Sequence, residues 1–145
     1  MKLWDKKNSG NDQIIEFTVG NDRLNDLYLI KYDIIASISH AKMLYRSNLL
    51  SEIECDKIIN ILNEMLSQAE AGKLKIDKEF EDMHSKIEFT LIDKLGDIGK
   101  KIHTARSRND QVLVSIQLYL IDELNFIKTE VKSLIDQIKI LLLFL

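Results

Sequence analysis

Two arginines flank the predicted start of a long helix, and their placement is typical of an anion-binding site. Ser107 is a favourable N-cap residue, and Asp110 lies three positions later, where the acid of a capping box belongs. The first turn of such a helix presents unpaired N–H groups and the positive end of the helix dipole. Arg106 and Arg108 lie beside this turn, and a guanidinium can form a paired contact with a carboxylate or phosphate. The alternative is an ordinary capped helix start with solvated arginines.

Histidines offer a second kind of chemistry. His84 and Glu88 are four positions apart, so on a helix they share one face and can pair. A surface ion pair is the more ordinary interpretation, and a role in a site is the alternative. No metal is expected, because two ligands without a third make a poor site. His40, alone in another helical segment, is interpreted as structural.

The segment after Gln111 predicts one long helix of a bundle. Apolar residues recur there every three or four positions, and a second partial stripe widens the apolar face. At about 1.5 Å per residue the helix would extend roughly 50 Å, which is longer than a compact domain of this size needs. The main stripe consists of Leu113, Ile116, Leu120, Leu124, Ile127, Val131, Leu134, Ile138, Leu141 and Leu145.

Two earlier segments also have helical patterns. Residues 22–45 carry apolar residues at helical spacing. A second helix begins with a capping box formed by Ser51 and Glu54, and Gly72 is a suitable residue to end it. Cys55 falls on the apolar face of this helix, so we expect it to pack in the core. It is the only cysteine, which excludes an intrachain disulfide.

The region between these helices and Arg106 is less regular. A third helix is predicted from about Lys78 to Leu95, with Gly96 as its stop. Residues 73–76 allow a short extended segment, and residues 96–99 are expected to form a flexible loop. Residues 1–20 suggest an extended arm.

Composition supports an all-α fold. Proline is absent from the 145 residues and glycine occurs only five times, whereas average usage would give around seven prolines. We therefore predict an N-terminal helical domain, residues 1–106, followed by the first long helix of a central helical bundle, residues 107–145.

Net charge and hydropathy limit the partners and the location that we expect for the protein. The net charge of -3 gives no field that favours a polyanion, and the basic patch near residue 106 is short, so no nucleic-acid partner is expected. The N-terminus lacks the apolar core of a signal peptide, and no apolar run is long enough for a membrane span. We expect a cytoplasmic protein without a membrane partner. Because residues 140–145 are all apolar and no cap or polar tail follows, we expect a chain that is cut short.

The ten residues from His103 to Val112 closely resemble the signature of argininosuccinate lyases, which belong to the aspartase/fumarase superfamily. Fumarases and aspartases carry a Ser-Ser-Asn-Asp type of stretch at this place, and adenylosuccinate lyases a Thr-Ser-x-Asp type. The Arg-Ser-Arg-Asn-Asp-Gln sequence therefore indicates the argininosuccinate lyase branch, N-terminal portion. Further resemblance is found at Lys2-Leu3-Trp4, at residues 16–20, at residues 32–44 and at residues 81–88, so that the likeness covers about residues 2–139.

The resemblance implies reversible β-elimination of argininosuccinate to arginine and fumarate, in arginine biosynthesis, without a metal or an organic cofactor. It implies a homotetramer whose long helices form a shared bundle, with each active site built from three regions of three subunits. In the family a base removes a proton next to a carboxylate. The resulting aci-carboxylate is held by hydrogen bonds until the guanidinium nitrogen leaves.

The resemblance also assigns substrate contacts. Ser107, Arg108 and Asn109 would contact substrate carboxylates, and argininosuccinate carries three of these. Losing one charged hydrogen bond of this kind should cost on the order of 1.5–3 kcal/mol.

The resemblance also implies supporting roles for three further residues. Thr104 and Arg106 would shape the loop, and His84 would line the same pocket. The family's assisting histidine and its serine base belong to regions beyond residue 145. The resemblance therefore assigns no catalytic residue to this chain, and we expect the chain alone to be inactive.

A second hypothesis is a truncated, non-catalytic helical fragment whose long stripe pairs with copies of itself. The two hypotheses differ in ligand binding. The first expects a weak dicarboxylate affinity that is lost in Arg108→Ala, and the second expects none.

Overall fold

The computed structural model describes residue 17 and residues 20–144. Most of the arm expected at residues 1–20 lies outside the described residues. The described chain is helical and contains no strand, which confirms the all-α prediction. Its helices are α1 (Asp22–Arg46), α2 (Glu52–Glu70), α3 (Met83–Leu95), α4 (Asp97–Lys100), a 3-10 turn (Lys101–His103) and α5 (Arg108–Leu143).

The core lies where α1, α2 and α3 pack together. Ile34, Ile58 and Leu91, one from each helix, are fully buried there. The capping box predicted at the start of α2 is present, with the Glu54 N–H donating to Ser51 Oγ at 3.3 Å. Cys55 is also buried, as its place on the apolar face predicted.

Helix α3 begins at Met83, so the predicted start near residue 78 is wrong. Asp82 has an extended backbone, and its carboxylate accepts from the Ser85 N–H at 2.7 Å, which caps the helix at that point. The Met83 N–H donates to Asp26 of α1 at 2.9 Å. An N-cap and a tertiary contact together fix the start. Residues 73–77 form no strand.

The flexible loop expected at residues 96–99 is also wrong, because most of it is the short helix α4. Gly99 lies directly against α3, and a Cβ atom at this position would overlap the carbonyl group of Leu91. The glycine at this position therefore permits a close approach of α4 to α3.

Helix α5 crosses α1 with its first part and then extends away from the other helices. Tyr32 of α1 donates to Asp122 at 2.9 Å and packs edge-on against Tyr119, with ring centroids 5.8 Å apart. The predicted apolar stripe is exposed along α5, from Leu113 at 61% through Leu124 at 63% to Leu141 at 63%. This stripe therefore has no partner within the described chain, whereas Val114 and Leu118, on another part of the apolar face, are half-buried in the groove against α1.

Candidate carboxylate-binding site

A tight turn joins the 3-10 turn to α5. The capping box predicted at the start of α5 is present, with the Asp110 N–H donating to Ser107 Oγ at 3.2 Å and the Ser107 N–H donating to the Asp110 carboxylate at 2.9 Å. Ala105 has a φ of 55°, which is rare for a residue with a Cβ atom. The turn is therefore held by its surroundings, and it places Arg106 and Arg108 in different environments.

Arg106 is buried and paired within the chain. Its Nη2 donates to Asp33 Oδ1 at 3.2 Å and its Nη1 donates to Ser37 Oγ at 2.8 Å. The Arg106 side chain is 6% exposed and that of Asp33 is fully buried. Burial lowers the pKa of the Arg106 guanidinium and the charge of Asp33 opposes this shift, so the two groups form a buried ion pair.

His84 completes this buried cluster. Its Nδ1 lies 2.7 Å from Asp33 Oδ2, and the residue is only 2% exposed. The surface pair with Glu88 considered from the sequence is wrong, because the histidine ring contacts α1 instead. Through Asp33, His84 is connected to Arg106 rather than to solvent.

Arg108 lies across the turn from this cluster, and its contacts are weaker. Its guanidinium donates to Gln111 Oε1 at 3.2 Å and to Ser85 Oγ at 3.4 Å. The nearest carboxylates are Glu88 at 3.5 Å and Asp82 at 3.6 Å, whereas charge-assisted hydrogen bonds are typically about 2.7–2.9 Å. The side chain is 32% exposed. The Arg108 guanidinium is therefore held less tightly than that of Arg106 and is partly accessible to solvent.

A cavity of about 500 Å³ lies beside Arg108, between α3 and the short helix α4. Glu88 lines its inner side at 7% exposure and is within 3.2 Å of His103 Nδ1. Because the cavity wall has both positive and negative side chains, it can contact a ligand that has both a negative and a positive group. Its charged lining residues are Glu81, Asp82, Glu88, Lys100, His103 and Arg108.

The remaining predicted site residues are exposed at the same end of the molecule. Ser107 and Asn109 lie at the start of α5, and Thr104 lies in the turn before it. In an α-helix the first N–H groups have no acceptor within the helix. The capping box uses the Ser107 and Asp110 N–H groups, so the Arg108 and Asn109 N–H groups are the ones that remain for a ligand. Of the six predicted site residues only Arg108 lines the cavity. Ser107, Asn109 and Thr104 are exposed beside it in sequence, and the side chains of Arg106 and His84 are buried elsewhere.

Sequence reasoning missed the partners of the two arginines. Asp33 and Ser37, which hold Arg106, are four positions apart on α1, and His40 follows three positions later. Polar residues with this spacing share one helix face, so a polar stripe within an apolar helix was the available signal. Glu88 and Asp82, near Arg108, belong to the segment 81–88 that carries part of the resemblance, but nothing in their spacing indicates a contact with Arg108.

The described residues offer neither a metal site nor a membrane span. In residues 17 and 20–144, no group of three or more histidine, cysteine or acidic side chains is placed to hold a metal ion. None of the described helices combines the length and apolar character needed to cross a membrane.

Comparison with known proteins gives the family. A family profile described as Lyase matches residues 9–141. An argininosuccinate lyase of Thermotoga neapolitana is 52% identical over 133 residues, which is 92% of this chain and 33% of the relative. One from Phocaeicola vulgatus is 45% identical over 92% of this chain and 30% of the relative. One from Alkaliphilus metalliredigens is 44% identical over 93% of the chain and 29% of the relative.

The chain spans about a third of the length of the curated relatives it matches. The match includes the buried cluster, the cavity and the turn before α5, since all of them fall within residues 9–141. The resemblance inferred from the decapeptide at the start of α5 is confirmed by these relatives. The chain therefore belongs to the lyase family, as the counterpart of the N-terminal part of argininosuccinate lyases.

Proposed function

We propose that this chain supplies the carboxylate-binding part of an argininosuccinate lyase active site, for the β-elimination that yields arginine and fumarate in arginine biosynthesis. One observation carries the proposal: of the two arginines in the turn, the Arg106 side chain is buried against Asp33 at 3.2 Å, whereas Arg108 lines a cavity, is 32% exposed and meets carboxylates only at 3.5 and 3.6 Å. The first is committed to structure and the second is available to a ligand.

In this proposal Arg108 binds a substrate carboxylate. The exposed Ser107 and Asn109 make further contacts with the substrate at the start of α5. The positive end of a long helix favours negative charge at that position. As a proton leaves the carbon next to a carboxylate, charge accumulates on that carboxylate. Fixed donors that already point at it stabilise the transition state more than the ground state.

Arg106, Thr104 and His84 have supporting roles in the proposal. Arg106 and His84 both bind Asp33, which ties the turn to α1 and α3. Thr104 belongs to the same turn and its carbonyl oxygen lies 3.0 Å from His40 Nε2. No metal or organic cofactor enters the proposed reaction.

The cavity also suits the other end of argininosuccinate, which carries a guanidinium group. Glu81, Asp82 and Glu88 place carboxylates on its walls, near Arg108. A substrate with both charges could therefore meet complementary groups on both sides. This arrangement favours a zwitterionic substrate over a simple dicarboxylate.

We propose that the first part of the molecule, residues 1–106, acts as a unit and that α5 begins a bundle shared between copies. In support, the apolar stripe of α5 is exposed from Leu113 to Leu141. An apolar surface of this extent usually marks an interface, and the repeat of one stripe in every copy suits a homo-oligomer, with a tetramer as the proposed state. The cytoplasm is the proposed location.

We further propose that the 145-residue chain alone does not cleave argininosuccinate, because proton transfer in the proposed reaction needs residues from the other two regions. A chimera tests both statements. Residues 9–141 replace the matching segment of a related argininosuccinate lyase, and fumarate formation is followed by ultraviolet absorbance.

We expect the chimera to release fumarate and the isolated chain to release none. An Arg108→Ala chimera should lose most of the activity, and a chimera with Lys132→Ala, an exposed position of α5, should keep it. A folded, oligomeric chimera without activity would contradict the proposal, as would fumarate release by the isolated chain.

A further inference from the structure

The turn before α5 is attached to one face of α1. Asp33 and Ser37 accept hydrogen bonds from Arg106, and His40 contacts the carbonyl oxygen of Thr104. Positions 33, 37 and 40 are four and three residues apart, so their side chains lie in one row along the helix. The row ends at His40, whose ring lies beside the Thr104 carbonyl, next to Ala105 with its φ of 55°.

The contact of His40 has a defined direction. A carbonyl oxygen only accepts, so Nε2 carries the proton and donates to Thr104 at 3.0 Å. His40 is partly buried, and burial lowers its pKa, which favours the neutral ring. It lies in a groove between α1 and α5, together with Ala105, Arg106 and Asp110.

The hydrogen bond from His40 to Thr104 holds the peptide group that precedes Ala105, the residue with positive φ. Thr104 has an extended backbone with φ -58° and ψ 129°, and Ala105 has a φ of 55°. Rotation of the Thr104–Ala105 peptide would let Ala105 relax to an ordinary conformation. That rotation would break the bond to His40. The other side of Ala105 is held by the Arg106 N–H, which donates to the His103 carbonyl at 3.3 Å.

We propose that His40 is a positioning residue for the carboxylate-binding site: by holding the Thr104–Ala105 peptide, it sets the place of the Arg108 guanidinium beside the cavity. The inference rests on the proposed function of Arg108. His40 itself does not touch the ligand. Its effect passes through three residues of main chain, from the Thr104 carbonyl to the start of α5.

Three variants separate the hydrogen bond from simple packing. His40→Leu fills space but removes the donor, and His40→Gln keeps an N–H donor at a similar reach. Ser39→Ala is the matched control, since Ser39 is in the same groove but donates to Ile35 of its own helix at 3.2 Å. His40→Asn, whose donor is too short to reach Thr104, replaces His40→Leu if that variant does not fold.

The measurements are made by NMR on the 145-residue chain. In His40→Leu we expect the Arg108 Nε–H resonance and the Ala105 amide resonance to shift. The Arg106 amide should exchange with solvent roughly fivefold to tenfold faster, as the loss of one hydrogen bond predicts. Fumarate affinity should fall by a similar factor. His40→Gln should restore all of these values, and Ser39→Ala should change none.

Two results would overturn the inference. In the first, His40→Leu leaves the Arg108 resonance and the Arg106 exchange rate unchanged. In the second, His40→Gln is as impaired as His40→Leu, which would mean that the ring acts by packing alone. Absence of fumarate binding by the unmodified chain would instead count against the proposed function. The resonance and exchange data would still decide whether His40 sets the position of Arg108.

Discussion

Asp33 and Arg106 are 73 positions apart in sequence, and their side chains form a buried ion pair with Oδ1 and Nη2 separated by 3.2 Å. His84 binds the second oxygen of the same carboxylate at 2.7 Å. One carboxylate of α1 therefore connects α3 with the turn before α5. Because Arg106 satisfies this carboxylate, Arg108 is the arginine left to meet a ligand.

The first prediction concerns this ion pair. Arg106→Met should lower the free energy of unfolding by about 3–5 kcal/mol, because it leaves the Asp33 carboxylate buried without its guanidinium. Arg46→Ala, at the exposed end of α1, should change it by less than about 0.5 kcal/mol. Urea unfolding followed by circular dichroism measures both.

A double variant provides the control for the same pair. Asp33→Asn combined with Arg106→Met removes the unpaired charge, so the double variant should be more stable than Arg106→Met alone. If Arg106→Met unfolds at the same urea concentration as the unmodified chain, the ion pair does not hold the turn.

The second prediction concerns the contact between α4 and α3. Gly99→Ala should destabilise the chain by about 3 kcal/mol, since the new methyl group would overlap the Leu91 carbonyl group. Gly72→Ala has open space around it but a φ of 65°, so it should cost only about 1 kcal/mol. Thermal unfolding of the two variants compares them, and equal losses would show that α4 does not approach α3 closely.

How far the sequence predicted the fold depends on the range of each interaction. The capping box of Ser107 and Asp110 involves residues three positions apart, so it could be predicted, as could the long stripe of α5. The start of α3 depends partly on a local N-cap, Asp82 to the Ser85 N–H, and partly on a contact between Met83 and Asp26 across 57 positions, which the sequence does not indicate. A pattern within one helix contains no information about such a partner.

The contacts of the candidate site are also set by residues far apart in sequence, which local patterns do not indicate. The residues Arg106 and Arg108 look equivalent in sequence, and only the positions of Asp33 and Ser37 make one structural and the other accessible. His84 was considered with Glu88 because both lie on one helix, but its partner is 51 positions away. The resemblance to a family gave different roles to the two arginines, and spacing alone did not.

The third prediction is a pH dependence of the capping box. Hydrogen bonds from the Ser107 main chain and side chain lower the pKa of Asp110 below its ordinary value of about 3.9. The stability that this carboxylate contributes is therefore complete at neutral pH. It is lost as the pH falls through the lowered pKa.

Asp110→Asn tests this dependence. The variant should be less stable than the unmodified chain at neutral pH, and the difference should shrink in acid, because the unmodified chain then loses its own carboxylate. Urea unfolding from neutral pH to strong acid shows the trend. A difference that stays constant or widens in acid would mean that the ionised carboxylate is not the stabilising form.

The central claim is that Arg108 binds a carboxylate. Calorimetric titration of the chain with fumarate and with succinate tests it directly, with Arg108→Ala compared to Lys132→Ala. We expect measurable binding by the unmodified chain and by Lys132→Ala, and a loss of roughly tenfold to a hundredfold in Arg108→Ala. Equal dicarboxylate affinity in the unmodified chain and a folded Arg108→Ala variant would contradict the claim.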